Sequence, residues 1–356
     1  MHVTTLKQIA EHVGVSISTV SRAISNDMSR PVNAETQRKI REAATRLGYE
    51  WNESQKKQKR SASKPASKSS KRIGCIAKQS LLDNHPFFSS LLSGFRKKLA
   101  DMGSSAEFVR TLEEVDDETK MRDYLRETGV QGILAIGWYD KALFELLNES
   151  GIVLLGVSMN DETVTIPIVD CDRVSAARTA VRHLIAQGHR KIGFIGGTDF
   201  SRMTMESEER FLGYKFAMLQ AGLEINRDWV LNANWNVDRS YSVMADMLER
   251  LKSDEERPTA MFCASDMLAI PAMRAAHEKQ CLIPGHIAFA GMDDIEVAQY
   301  TSPPLTSIQV PKYEIGETAA KTLIELLEGQ YALPPKILLP YKLIVRESSE
   351  FTRTPQ

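Results

Sequence analysis

The sequence predicts an all-α helix-turn-helix head and an α/β core made of two doubly wound parallel-sheet subdomains. Three observations carry this. The first two dozen residues hold two short helical patterns broken by Val13-Gly14-Val15. Between Asn52 and Arg72 the chain is basic and holds no Leu, Ile, Val or aromatic residue. From Ile73 onward, short apolar runs alternate with helical stretches.

In the head, Thr5 and Gln8 have capping-box spacing, and Leu6, Ile9, Ala10 and Val13 form one apolar stripe. Gly14 supplies the turn, and Ser16 caps a second helix running to about Ile24. On that helix Val20 and Ile24 face inward, while Ile17, Ser18, Ser21 and Arg22 share the other side. Hydroxyls, an exposed branched apolar residue and an arginine match a DNA major groove, whose base edges offer acceptors, donors and thymine methyls. The plainer alternative, a helical fragment of an ordinary fold, leaves the agreement of cap, turn and surface chemistry unexplained. A third helix is expected from Asn33 as N-cap to Leu47, with Ile40, Ala43, Ala44 and Leu47 on one face and Gly48 as its stop.

Charge divides the chain. Residues 1–72 hold 15 Lys and Arg against 6 Asp and Glu; the totals of 45 and 46 leave 30 and 40 for the rest. A head of +9 on a body of −10 points to a polyanion bound at one end. Residues 52–72 carry eight of those cations, six serines and one acid, Glu53. Such a segment buries too little apolar surface to offset its ordering entropy, and reads as a flexible basic linker.

Expected core strands are Ile73–Ala77, Gly132–Ile136, Ile152–Val157, Lys191–Gly196, Ala260–Ala264 and Ile287–Gly291. Expected helices are Phe87–Met102, Asp116–Thr128, Val174–Gln187, Glu208–Gln220, Arg239–Leu251 and Met267–Lys279. That βαβ rhythm implies parallel sheets covered on both faces. About 280 residues is long for one open sheet, so two subdomains are expected, with a cleft where strand carboxyl ends meet. Cys75, Cys171, Cys263 and Cys281 are scattered and lack metal spacing; Cys75 and Cys263 fall in strands as buried small side chains. No apolar run suits a membrane span or signal peptide, so a cytoplasmic location is expected. No dinucleotide fingerprint, P-loop or nucleophile elbow is present, and Gly196-Gly197 reads as a tight turn, so neither enzyme nor cofactor is expected.

Seven strings in order from end to end carry a family resemblance. They begin LKQIAEHVGVSISTVSRAIS and VNAETQRKIREAATRLGY, continue through HPFFSSLLSGF, HLIAQGHRKIGFIGG and ERFLGYKFAMLQAGL, and end with the long stretch containing CASDMLAI and GMDDIEVAQYTSPPLTSI, then LLPYKLIVRESS. The chain resembles a LacI/GalR-family transcriptional regulator, and the resemblance covers nearly everything except the linker. It implies a core of the periplasmic-binding-protein type, a homodimer, double-stranded operator DNA and a small-molecule effector. Ile17 and Ser18 fall at the family's two principal base-reading positions and Arg22 at a third, while Thr5, Ser16, Thr19, Ser21 and Asn26 match phosphate-contacting positions. In the core, Arg210, Asp293 and Ser265-Asp266 match effector-binding positions, Trp235 a sugar-stacking position, and Phe87 and Phe88 the aromatic pair near the cleft entrance. Each has a plainer reading. Trp235 or either Phe can be core packing, Asp266 a helix N-cap, and Arg210 a solvated partner for Glu206, Glu208 or Glu209.

The implied boundaries are 1–50 for the head, 51–72 for the linker and 73–356 for the core. Subdomain 1 is expected at about 73–170 and 308–330, and subdomain 2 at about 171–307 and 331–356. Three departures from the family stand out. Trp51 replaces the usual Pro, and no hinge Leu is available to wedge into the minor groove; Trp51 as substitute wedge and Trp51 packed on the third helix both stay open. Gly156 and Val310 stand where some sugar-responsive members carry an acid and an amide. After Arg346 there are no leucine heptads, so a dimer is expected rather than a tetramer. The resemblance implies a repressor answering to a sugar, with a galactoside as first guess; a non-sugar co-repressor and control by a partner protein remain the alternatives, with a sugar-processing enzyme on a similar scaffold as the distant one.

Overall fold

The computed structural model describes residues 6–17, 19–20, 32–46, 71–82, 85–159, 165–198 and 204–350. The chain forms two compact units, 1–69 and 70–356. Thr5, Ser18, Ser21, Arg22, Ile24, Asn26, Leu47, Gly48, Trp51 and the linker up to residue 70 lie outside the described residues.

In the first unit, helices Leu6–Val13 and Ala34–Arg46 bury Ile9, Ala10, Ile40, Ala43 and Ala44 around Val20. The Gly14 and Val15 amides both donate to the Ala10 carbonyl, at 2.9 and 3.0 Å, and Gly14 takes φ +73° to reverse the chain. Ser16 then caps the next turn: the Thr19 amide donates to its Oγ at 3.1 Å. Asn33 does the same for the following helix, accepting from the Glu35 amide at 2.9 Å. With Val20 wholly buried, Ile17 is left 49% exposed, the arrangement its helical spacing predicts.

The second unit holds two six-stranded sheets. Its strands are β1 (Arg72–Ala77), β2 (Ser105–Thr111), β3 (Gly132–Ile136), β4 (Val153–Val157), β5 (Ile168–Cys171), β6 (Ile192–Gly196), β7 (Val230–Asn232), β8 (Ala260–Cys263), β9 (Ala288–Asp293), β10 (Thr306–Gln309), β11 (Lys336–Leu339) and β12 (Lys342–Ile344). The first sheet runs β11-β5-β4-β3-β1-β2, and every pairing in it is parallel. The second runs β12-β10-β9-β8-β6-β7, parallel except for its β12 edge, which pairs antiparallel with β10. Central strands β3, β6 and β8 are buried at every residue, which is why they read as unbroken apolar runs. All four cysteines are buried and free, Cys75 and Cys263 within strands as expected.

The chain passes between the lobes at residues 171–173, 309–312 and 339–342. This corrects the expected third boundary: Lys336–Leu339 lies in the first sheet beside Ile168–Cys171, not in the second lobe with residues 331–356. The reason is tertiary, since a four-residue strand completes whichever parallel edge is open to it. Helix Lys312–Leu327 packs across helix Pro86–Asp101, with Gly316 against the Leu91 carbonyl where any Cβ would collide with backbone. Gly316→Val is therefore expected to destabilise the core by about 1–3 kcal/mol through overpacking, read as a lower urea midpoint at unchanged slope.

Candidate functional site

Each strand of an open parallel sheet points its carboxyl end the same way, so the residues just past those ends converge. Here they line one cleft of about 380 Å³, within the range of small-molecule pockets. Leu81 follows β1, Gly137 β3, Ser158 β4, Arg173 β5, Gly197 β6, Trp235 β7 and Ser265 β8, and Asp293 ends β9. His85, Phe87 and Phe88 enter from the start of helix Pro86–Asp101, and Glu208, Glu209 and Arg210 from the start of helix Glu209–Gln220.

The base of the cleft is an ion cluster across the first crossover. Arg173 is 5% exposed; its Nε and Nη2 donate to Asp170 at 3.1 and 2.9 Å, and Nη2 also donates to Ser158 Oγ at 2.8 Å. Its guanidinium lies 5.6 Å from the Phe87 ring centroid. Asp170, 4% exposed, also accepts from the Ser158 and Cys171 amides, at 3.1 and 2.8 Å. Glu209 stands further off, 3.9 Å from Arg173 Nε, and burial pushes its carboxyl up to about 7 despite that neighbour.

Arg210 forms the second cation site. Its Nε donates to Glu208 Oε1 at 2.7 Å, and its guanidinium sits 4.3 Å from the Trp235 ring. Its Nη1 and Nη2 have no hydrogen-bond partner among the described residues. Trp235 is half-buried, with φ +57°, and lies against Gly197, where a Cβ would strike its amide nitrogen and ring carbons. A side chain at 197 would displace the indole.

Asp293 is 4% exposed, and its carboxylate accepts no hydrogen bond from the described residues. Burial raises it to about 6, opposed by the nearby charges of Arg173, Arg210 and Lys312. Its backbone is held at φ +107°, a conformation that costs a non-glycine residue on the order of 1–3 kcal/mol. Lys312 fixes it by donating to the carbonyls of Asp293 and Asp294 at 2.7 and 3.0 Å, and Arg346 pairs with the Asp294 carboxylate at 2.7 Å. A buried acid left without donors in a cleft suits a ligand that brings them.

Of the core positions expected from the sequence, Phe87, Phe88, Arg210, Trp235, Ser265 and Asp293 line this one cleft. Asp266 does not. It is fully buried behind the cleft, accepting from Ser307 Oγ at 2.6 Å and the Ile295 amide at 2.9 Å, and burial keeps its carboxyl well above the usual range. Phe87 and Phe88, at 2% and 8% exposure, form part of the cleft wall. Neither Gly156 nor Val310 lines the cleft. Sequence reasoning missed Arg173, Glu208, Glu209, Ser158 and His85. Their shared signal is position, one to three residues beyond a strand or at a helix start. In the head, Ser16 and Thr19 bond each other at 2.8 Å beside exposed Ile17, while Thr5, Ser18, Ser21, Arg22 and Asn26 lie outside the described residues. No group of metal-ligating side chains occurs among the described residues, and no helix there is long and apolar enough to cross a membrane.

Residues 5–52 match the family of bacterial regulatory proteins, lacI family, and residues 181–349 match the periplasmic binding protein-like domain. The chain is 28% identical over 349 residues to the HTH-type transcriptional regulator CelR of Thermobifida fusca, covering 97% of this chain and 98% of CelR. It is 27% identical over 348 residues to the transcriptional repressor CytR of Escherichia coli (strain K12), covering 97% and 96%. Among solved structures, the CelR–cellobiose complex is similar with a TM-score of 0.69 at 25% identity, over 97% of this chain and 99% of that one. The lac repressor dimer bound to operator and an anti-inducer shares the fold, with a TM-score of 0.68 at 24% identity over 98% and 99%. A reader-type head, a two-lobed core with a ligand-sized cleft and matches to both halves make the chain similar, over nearly its whole length, to DNA-binding transcriptional regulators of the LacI type.

Proposed function

We propose that this chain is a DNA-binding transcriptional regulator of the LacI family, a homodimeric repressor whose cleft takes a small sugar and whose operator affinity changes when the sugar binds. The observation that carries the sugar reading is the donor-free buried carboxylate of Asp293 in one cleft with the open Nη edge of Arg210 and the ring of Trp235. A diol donates to the first and accepts from the second, while the indole under the guanidinium holds that edge in place. The CelR complex with cellobiose supports this class. A galactoside is one member of it. A hundredfold change in DNA affinity requires about 2.7 kcal/mol of coupling between cleft and head.

In the head, we assign base reading to Ile17, Ser18 and Arg22, and backbone positioning to Thr5, Ser16, Thr19, Ser21 and Asn26. Arg22→Ala is expected to cost about 1–3 kcal/mol at one operator position, measured by competition among single-base variants. A uniform loss across sequences would refute base reading. Replacing Lys56, Lys57, Lys59 and Arg60 with Gln is expected to flatten the salt dependence of binding with base preference unchanged.

The sugar assignment is tested by thermal melting against mono- and disaccharides, including cellobiose and lactose, with nucleosides as the contrasting class. A sugar at a hundred times its dissociation constant stabilises the core by about 2.7 kcal/mol. Stabilisation by nucleosides alone would replace the sugar reading.

A further inference from the structure

We propose that Glu208 is a positioning residue that decides which edge of Arg210 the effector meets, so that the cleft selects a ligand presenting two neighbouring oxygens to the Nη1/Nη2 edge. This deepens the effector reading above and rests on it. A guanidinium offers paired hydrogen bonds along two edges, one using Nε and one using both Nη nitrogens. Glu208 Oε1 occupies Nε at 2.7 Å, and the Trp235 indole lies against the guanidinium at 4.3 Å. The edge that remains is Nη1/Nη2, partner-free among the described residues.

Glu208 performs two tasks with its two oxygens. Oε2 caps helix Glu209–Gln220 by accepting from the Phe211 amide at 2.9 Å, and Oε1 holds Arg210. Asp, Ser and Asn cap helices without a long side chain; only the longer carboxylate spans both groups here. Glu208 is also 3% exposed, whereas a residue serving only as a cap can keep its charge in water. Gly197 completes the stack, because bare backbone lets the indole lie close beneath the cation. Guanidinium, indole and carboxylate therefore act as one part.

Glu208→Asp separates the tasks: aspartate is a favoured cap but is one methylene short of Arg210. Glu208→Gln keeps the length, and its single carbonyl oxygen accepts where a carboxylate offers two. Both chains are to be checked by thermal melting, by acrylamide quenching of Trp235 emission (the difference from the matching Trp235→Phe chain), and by calorimetric titration with cellobiose and lactose. Expected are folded chains, a more accessible Trp235, and about tenfold weaker binding of whichever sugar the wild type binds, equivalent to about 1.4 kcal/mol. Wild-type quenching and affinity in Glu208→Asp would reduce Glu208 to a cap and overturn the proposal. Should Glu208→Asp fail to fold, the same readouts in Glu208→Gln decide. If neither sugar binds the wild type while quenching rises in both variants, positioning of Arg210 stands and the sugar class fails instead.

Discussion

Asp170→Ala is expected to destabilise the core by about 3–5 kcal/mol, because it strands the Arg173 guanidinium in a site with almost no solvent. Ser158 Oγ and the distant Glu209 carboxylate are its remaining partners, and the second stands 3.9 Å away. The paired replacement Asp170→Leu with Arg173→Met removes both charges at once and is expected to recover most of that loss, since a buried ion pair often exchanges for apolar side chains at little cost. Urea unfolding of the two chains measures this through the midpoint at constant slope. Equal destabilisation by the single and paired replacements would show that packing, not charge, sets stability at the crossover.

Asp293→Asn is expected to weaken effector binding by about 10- to 100-fold, the loss of a charge-assisted hydrogen bond worth about 1.5–3 kcal/mol. The pH dependence gives a separate readout. Glu209 and Asp293 hold their protons in the folded chain up to about 7 and 6, whereas an unfolded carboxyl has lost its proton by about pH 4–5. In that window the folded chain binds more protons than the unfolded one, so these two groups lower stability as pH rises from about 4 to 7. In the proposed complex, effector hydroxyls donate to the ionised carboxylate. Binding to the wild type should therefore tighten as pH rises through about 6 and release protons, and Asp293→Asn should flatten that rise. Titration calorimetry in buffers of different ionisation enthalpy measures the released protons.

Much of the fold was legible because its signals are local. Gly132–Ile136 was placed to the residue, since a fully buried parallel strand is an uninterrupted apolar run. Short edge strands left no such trace: Val230–Asn232 and Lys342–Ile344 are three residues each, and the sheet that Lys336–Leu339 joins is set by distant partners. The site divides the same way. Arg210, Trp235 and Asp293 were found through the family pattern, and the structure brings them into one cleft. Arg173 was missed because Asp170 and Arg173, three apart, look like an ordinary solvated pair until the crossover buries them. Asp266 was misassigned because an acid beside a strand end has two outlets, the cleft or the core, and only tertiary contacts with Ser307 and Ile295 choose between them.

The central claim is that a sugar in the cleft governs the grip of the head on DNA. Its most direct test is anisotropy of a labelled duplex, selected from a random pool on the full chain, titrated with protein in the presence and absence of the sugar that raises the melting temperature. Expected is a two-fold symmetric pair of half-sites whose affinity changes about a hundredfold with sugar in the wild type and little in Asp293→Asn. Failure of any duplex to outcompete random DNA, or a sugar that binds the cleft and leaves operator affinity untouched, would contradict it.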